Sequence, residues 1–158
     1  MEPATHPDVQ PLAFLLGTWR GVGHGQYPTI QPFDYGEELV IEHNGDPYLA
    51  YSQHSWSLDD HSPIHLERGF LRMGTGREVE LTFAHPLGLV EVAHGPLIGT
   101  AFEVATAPGL VGRTRTGLDV VGMIRRYTFR DETLTYQVDM ATERTPMTVH
   151  LRGELRRT

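Results

Sequence analysis

The sequence predicts an all-β chain, an antiparallel up-and-down barrel of about ten strands preceded by one short helix. Three features carry this. Short segments alternate apolar and polar residues at period two, turn residues separate them, and no helical period falls between strands to build β-α-β units. Closing such strands into a barrel removes the sheet edges and leaves an interior that can take one small ligand.

The elements follow in chain order. Val9–Leu16 suits a short helix or 3₁₀ turn, with Pro11 tolerated near its start and Gly17 ending it. The first strand lies in the run Gly17-Thr18-Trp19-Arg20-Gly21-Val22-Gly23-His24-Gly25-Gln26-Tyr27-Pro28-Thr29-Ile30. Its alternating glycines let another backbone or a flat ligand approach, at an entropic cost of roughly 0.5–1 kcal/mol each. Trp19 is a large anchor suited to the closed end of a barrel. Pro28 forces Tyr27 to be extended, and the rigid turn aims the Thr29 hydroxyl.

Glu37–His43 sets Leu39 and Ile41 on one face and Glu38 and Glu42 on the other. Tyr48–Trp56 is rich in aromatics and closes at Asp59-Asp60; Leu66–Arg72 follows Pro63. Gly74-Thr75-Gly76 is a hairpin signal before Glu78–His85, where Val79, Leu81 and Phe83 alternate with Glu80 and Thr82. Leu89–Val92, Ile98–Val104, Asp119–Phe129, Leu134–Met140 and Met147–Leu155 complete the pattern, with Asp131-Glu132 as a turn.

Composition bounds the function. The 158 residues read as one domain, 1–158, long enough to bury a core without staples. There is no cysteine, which excludes disulfides, zinc–thiolate sites, iron–sulfur clusters and a thiol nucleophile. A net charge of −7 argues against nucleic acid as a partner. No apolar run approaches a membrane span, and Met1 to Gln10 lacks a basic start before an apolar run, so a cytoplasmic protein is expected. All 13 basic residues are arginine, which removes lysine chemistry.

The fourteen-residue glycine-rich run, followed by Phe33-x-Tyr35-x-Glu37-Glu38, resembles nitrobindin, the haem-binding β-barrel family also called peroxynitrite isomerase. The resemblance continues through Glu42-His43-x-Gly45-x-Pro47, Glu67-x-Gly69-Phe70-x-Arg72 and Ala84-His85-Pro86-x-Gly88. It ends with Met140-Ala141 and Met147-Thr148-x-His150-Leu151. A lone Gly-x-Trp-x-Gly is shared with lipocalins and fatty-acid carriers; the full run with the late His-Leu is specific.

The resemblance implies a ten-stranded barrel with one haem b in its mouth. It places the axial iron ligand on His150 and a further haem contact on Thr29. The implied activity is isomerisation of peroxynitrite to nitrate at ferric haem, with nitric oxide binding as a companion; the oligomeric state stays open. A pocket with few hydrogen-bond donors near the open iron position would leave bound dioxygen poorly stabilised, so ready oxidation to ferric haem is expected. Arg113, Arg115 and Arg125 are candidates to pair with the propionates. Family members often carry a lysine shortly before the strand that here holds Val120 and Val121; this chain has Leu118 near that position, which puts a lysine contact in doubt. The alternative is a non-catalytic carrier of a fatty acid or another small apolar ligand, which accounts for the barrel and Trp19 but not for Tyr-Pro-Thr-Ile together with His150.

Nine histidines need sorting. His6, His61 and His65 lie in or beside turns and read as solvated, His24 as a surface residue, and His54 and His94 match no pattern. His43 and His85 share faces with apolar residues and read as structural imidazoles, with lining the open side of the haem as the other option. For His150, simple alternation groups it with Thr148, Arg152 and Glu154 on the polar face. It faces inward only if that face lines the mouth, with Arg152 and Glu154 pairing deeper in, or if a bulge resets the register.

Overall fold

The structure, a computed structural model, describes residues 3–158. Met1 and Glu2 lie outside the described residues, and at positions 108 and 109 only the backbone is described. Ten strands follow one another around a closed barrel: β1 Gly17–Tyr27, β2 Ile30–Glu42, β3 Leu49–Ser57, β4 Pro63–Met73, β5 Glu78–His85, β6 Leu89–Ile98, β7 Ala101–Arg113, β8 Val120–Arg130, β9 Thr133–Thr142 and β10 Thr148–Arg157. Each pairs antiparallel with the next, and β1 closes the barrel against β10, from Trp19 opposite Arg157 to Gly25 opposite Leu151.

The expected strands are all present, with different ends. The segment starting at Ile98 splits there: Ile98 finishes β6, and β7 begins at Ala101 after a turn through Gly99, whose φ is +60°. The turn at Asp131-Glu132 puts both residues at positive φ, 51° and 59°, the twist that a two-residue hairpin demands. The short helix is a 3₁₀ segment, Pro7–Leu15, whose first turn is capped by His6 Nδ1 accepting from the Asp8 N–H at 3.2 Å.

That segment plugs one end of the barrel. Val9, Leu12 and Leu15 join Trp19, Leu39, Leu81, Leu134 and Leu155 in the larger core cluster. Trp19 is fully buried and donates its indole N–H to the Leu15 carbonyl at 2.7 Å, and the Arg157 guanidinium covers its ring at 4.6 Å. The glycines of β1 serve the barrel rather than a flat ligand. A Cβ on Gly21 would strike the Glu154 carbonyl across the β1–β10 seam, and one on Gly23 or Gly25 would enter the ring of Tyr35 or Phe33. Both rings come from β2 and lie over the bare strand.

The other end is not filled. A second, smaller cluster of Leu89, Val120, Met123 and Val138 lines it. β7 pairs with β8 from Ala101–Thr128 to Ala105–Ile124, and the Met123 N–H donates to the Thr106 hydroxyl at 2.9 Å just beyond.

Candidate functional site

The open end holds a cavity of about 230 Å³ whose walls come from eight strands, β2 to β6 and β8 to β10, with the β5–β6 turn and the approach to β8. Apolar side chains dominate its upper wall: Leu89, Val120, Met123, Val138, Met140 and Leu151. Leu118, just before β8, also lines it, near where the resemblance implied a lysine.

His150 lines this cavity, and the reason is a register shift in β10. Val149 pairs with Asp139 and Leu151 with Val138, so His150 is an extra residue between them. A β-bulge of this kind turns two consecutive side chains toward one side. Of the two routes that sequence alone left open, the bulge is the one present. Arg152 and Glu154 therefore stay outside: Arg152 Nε donates to Gln137 Oε1 at 3.1 Å, and both residues are exposed, so they do not pair within the mouth.

The imidazole is held by its other nitrogen. Its Nδ1 lies 3.0 Å from the Gln26 carbonyl oxygen, so that N–H donates and the tautomer is set. The Tyr27 ring packs edge-on at 5.3 Å, and the Tyr27 hydroxyl donates to the Met140 carbonyl at 3.1 Å. Burial lowers the His150 pKa; the bond to Gln26 opposes this and His65 adds to it. The ring is neutral at neutral pH, and Nε2 has no hydrogen-bond partner among the described residues. Thr29 sits in the β1–β2 turn, exposed, and is not among the residues lining the cavity.

Beneath the apolar wall lies a charged floor that the sequence reading missed. Arg125 is buried and donates Nη1–H and Nη2–H to the two oxygens of Glu67, each at 2.8 Å. Its Nε and Nη2 reach Oε1 and Oε2 of Glu91, each at 2.9 Å, and Nη1 also faces the Tyr127 hydroxyl at 3.4 Å. Burial pushes the Glu67 carboxyl up, but the Arg125 charge and hydrogen bonds from His65 and Arg125 overcome it, holding Glu67 well below the usual carboxylate range. Glu91 is lowered by the same balance. Arg125 is thus spent on two carboxylates and is not a propionate partner. Of the other two candidates, Arg113 pairs with Glu143 at 2.7 Å, and Arg115 is exposed in the connection before β8.

His65 is not a solvated turn residue. It stands on β4 at the cavity wall, side chain 24% exposed, with Nε2 3.2 Å from Nδ1 of the buried His85. His85 Nε2 lies 3.2 Å from Glu91 Oε2. One wall of the cavity is therefore polar. His43 stays out of the cavity, its Nε2 3.2 Å from the Thr5 hydroxyl. His24 pairs with Asp34 on the outer surface.

A second carboxyl, Glu37, receives hydrogen bonds from the Tyr136 hydroxyl and from Gln53 Nε2. Burial raises its pKa to about 7, against those bonds and with a contribution from Glu67. A carboxyl raised in the folded state favours folding fully below its unfolded value of 4.5, and that contribution is lost as pH rises through 7. Glu37→Gln is expected to leave stability nearly unchanged at pH 4 and to raise it at pH 8, by on the order of 3 kcal/mol. Urea unfolding at the two pH values measures this.

The site's chemistry fits a haem. A neutral imidazole with one N–H tied to a carbonyl and the other nitrogen unengaged in an apolar cavity is the donor that a five-coordinate haem iron takes. The cavity is somewhat smaller than the roughly 300–1,000 Å³ typical of small-molecule sites.

Comparison with known proteins agrees with the geometry. The family described as a THAP4-like, heme-binding beta-barrel domain matches residues 8–157. The chain is 42% identical over 156 residues to a peroxynitrite isomerase of Nocardia farcinica, covering 98% of this chain and 93% of that protein. It is 40% identical over 154 residues to peroxynitrite isomerase 2 of Mycobacterium marinum, covering 96% of each. The crystal structure of Rv2717c from M. tuberculosis matches with a TM-score of 0.89 at 35% identity, over 98% of this chain and 99% of that one.

Proposed function

Because the chain belongs to the family of THAP4-like, haem-binding β-barrel domains, we propose that it is a haem protein that isomerises peroxynitrite to nitrate, with His150 as the axial ligand. The observation that carries this reading is the bulge at His150, which turns an imidazole with an unengaged Nε2 into an apolar cavity. Relatives about 40% identical over nearly the whole chain are named for the same reaction. One haem b per chain, nitric oxide as a second ligand and a cytoplasmic setting belong to the same reading. No helix among the described residues is long and apolar enough to cross a membrane.

Nε2 of His150 would hold the haem iron, and the haem would supply the redox-active centre for the rearrangement of peroxynitrite to nitrate. The chain's own residues do the rest. Gln26 and the edge of Tyr27 fix the His150 ring, and desolvation keeps it unprotonated. Met123, Val138, Met140 and Leu151 exclude water and confine reactive fragments. For the carrier alternative, all five N–H groups of Arg125 are engaged, so this buried cation offers no donor to a fatty-acid carboxylate.

The test is haemin addition, followed at the Soret band and by nitrate yield from peroxynitrite; a flat titration contradicts the reading. Thr29, at the tip of the turn that leads out of Tyr27, is proposed as a haem contact through its hydroxyl. Thr29→Val is expected to weaken haem retention by about 0.5–1.5 kcal/mol, read as a roughly 2- to 12-fold faster transfer of haem to an excess of apo-globin.

A further inference from the structure

We infer that the β4–β5 wall of the cavity carries a second site, for a divalent metal ion of the zinc type, held by Nε2 of His65, Nδ1 of His85 and Oε2 of Glu67. The three atoms form a near-equilateral triangle: His65 to His85 is 3.2 Å, His85 to Glu67 3.5 Å, and His65 to Glu67 3.6 Å. Four ligands set tetrahedrally about zinc at about 2.0–2.1 Å lie about 3.3–3.4 Å apart. The triangle therefore already has the dimensions of one face of such a site.

The strands explain the placement. His65 and Glu67 are two apart on β4 and share its inner face. The β4–β5 register pairs Arg68 with Ala84, so one step further on Glu67 stands beside His85, the last residue of β5.

The surroundings are those of a supported ligand set. His85 turns its Nε2 to Glu91 at 3.2 Å, a carboxylate–histidine pair that places the N–H there and frees the Nδ1 lone pair. Arg125 grips both oxygens of Glu67, and the Tyr51 hydroxyl donates to Oε1 at 2.8 Å, so the carboxylate is oriented before any ion arrives. One arginine faces two carboxylates, which leaves a negative charge in excess and offsets the cost of bringing in a cation. Side-chain exposures of 4% for His85 and 7% for Glu67, against 24% for His65, make His65 the entrance. Two imidazoles and one carboxylate with a fourth corner left to solvent or a small anion is the donor set of open zinc and non-haem iron sites.

This inference does not rest on the haem reading: the two share the cavity, but His150 takes no part in the metal site. The experiment titrates the full haem-free chain with Zn²⁺ by calorimetry and with Co²⁺ by visible absorption. One ion per chain and the intense bands of tetrahedral Co²⁺ are expected. His65→Ala, a rim substitution that leaves the Arg125 ion pairs in place, abolishes that binding, whereas His150→Ala leaves it unchanged. Glu91→Gln weakens it by about 10–100-fold; because Glu91 belongs to the buried network, the His65→Ala result decides. No uptake at stoichiometric Zn²⁺, binding that survives His65→Ala, or binding lost in His150→Ala overturns the site. Haemin binding, read at the Soret band of the same samples, reports on the haem reading separately.

Discussion

His150→Ala is expected to remove stable haem binding and, with it, the acceleration of peroxynitrite decay, both to background. His150 alone combines an anchored Nδ1, an unengaged Nε2 and a place on the apolar side of the cavity. The other two cavity histidines, His65 and His85, are turned toward each other and toward carboxylates. The substitution removes a half-buried ring from a bulge at the mouth, away from the packed end where Trp19 and Leu155 lie, so folding is expected to survive. Far-ultraviolet circular dichroism checks that. Imidazole added to the variant should enter the space left by the ring and restore the Soret band, a rescue that a merely structural histidine would not give. If His150→Ala keeps its haem while His65→Ala or His85→Ala loses it, the ligand has been assigned to the wrong wall.

Arg125→Met is expected to cost the most stability of any single change in the floor, about 3–5 kcal/mol, because it leaves Glu67 and Glu91 buried without a counter-charge. For a chain of this length that is a fall in Tm of roughly 6–20 °C. The pH dependence fixes the cause. In the native protein both carboxyls are held below their ordinary value of 4.5, so they contribute stability above that pH and lose it as pH falls through their folded values. Without the guanidinium, burial raises both, and protonation relieves the variant in acid. The gap between native and variant Tm should therefore narrow from pH 7 toward pH 4.5. A gap independent of pH would mean that packing against the Phe83 ring, 5.0 Å from the guanidinium, matters more than the charges.

Much of the barrel was legible because alternation and turn chemistry are local. Val79, Leu81 and Phe83 face inward as their spacing implies, and the Asp131-Glu132 turn falls where two polar residues interrupt the pattern. The site was legible only through resemblance. Strict alternation puts His150 on the outer face, and the extra residue that brings it in depends on pairing with β9, which no local pattern announces. The floor carried a signal that went unread: Glu37, Glu67, Glu91 and Arg125 each occupy the parity of neighbouring core residues, as Glu37 does beside Leu39 and Ile41. A charge at inward parity on one strand is costly alone, and four of them on different strands imply that they meet. His65 was misplaced because Pro63 reads as a turn, whereas β4 begins there.

The most direct measurement is a crystal structure of the chain grown with haemin. The account predicts iron bonded to Nε2 of His150, with Nδ1 still donating to the Gln26 carbonyl. Iron bonded to His65 or His85, or a haem lying outside the cavity with His150 untouched, would contradict it.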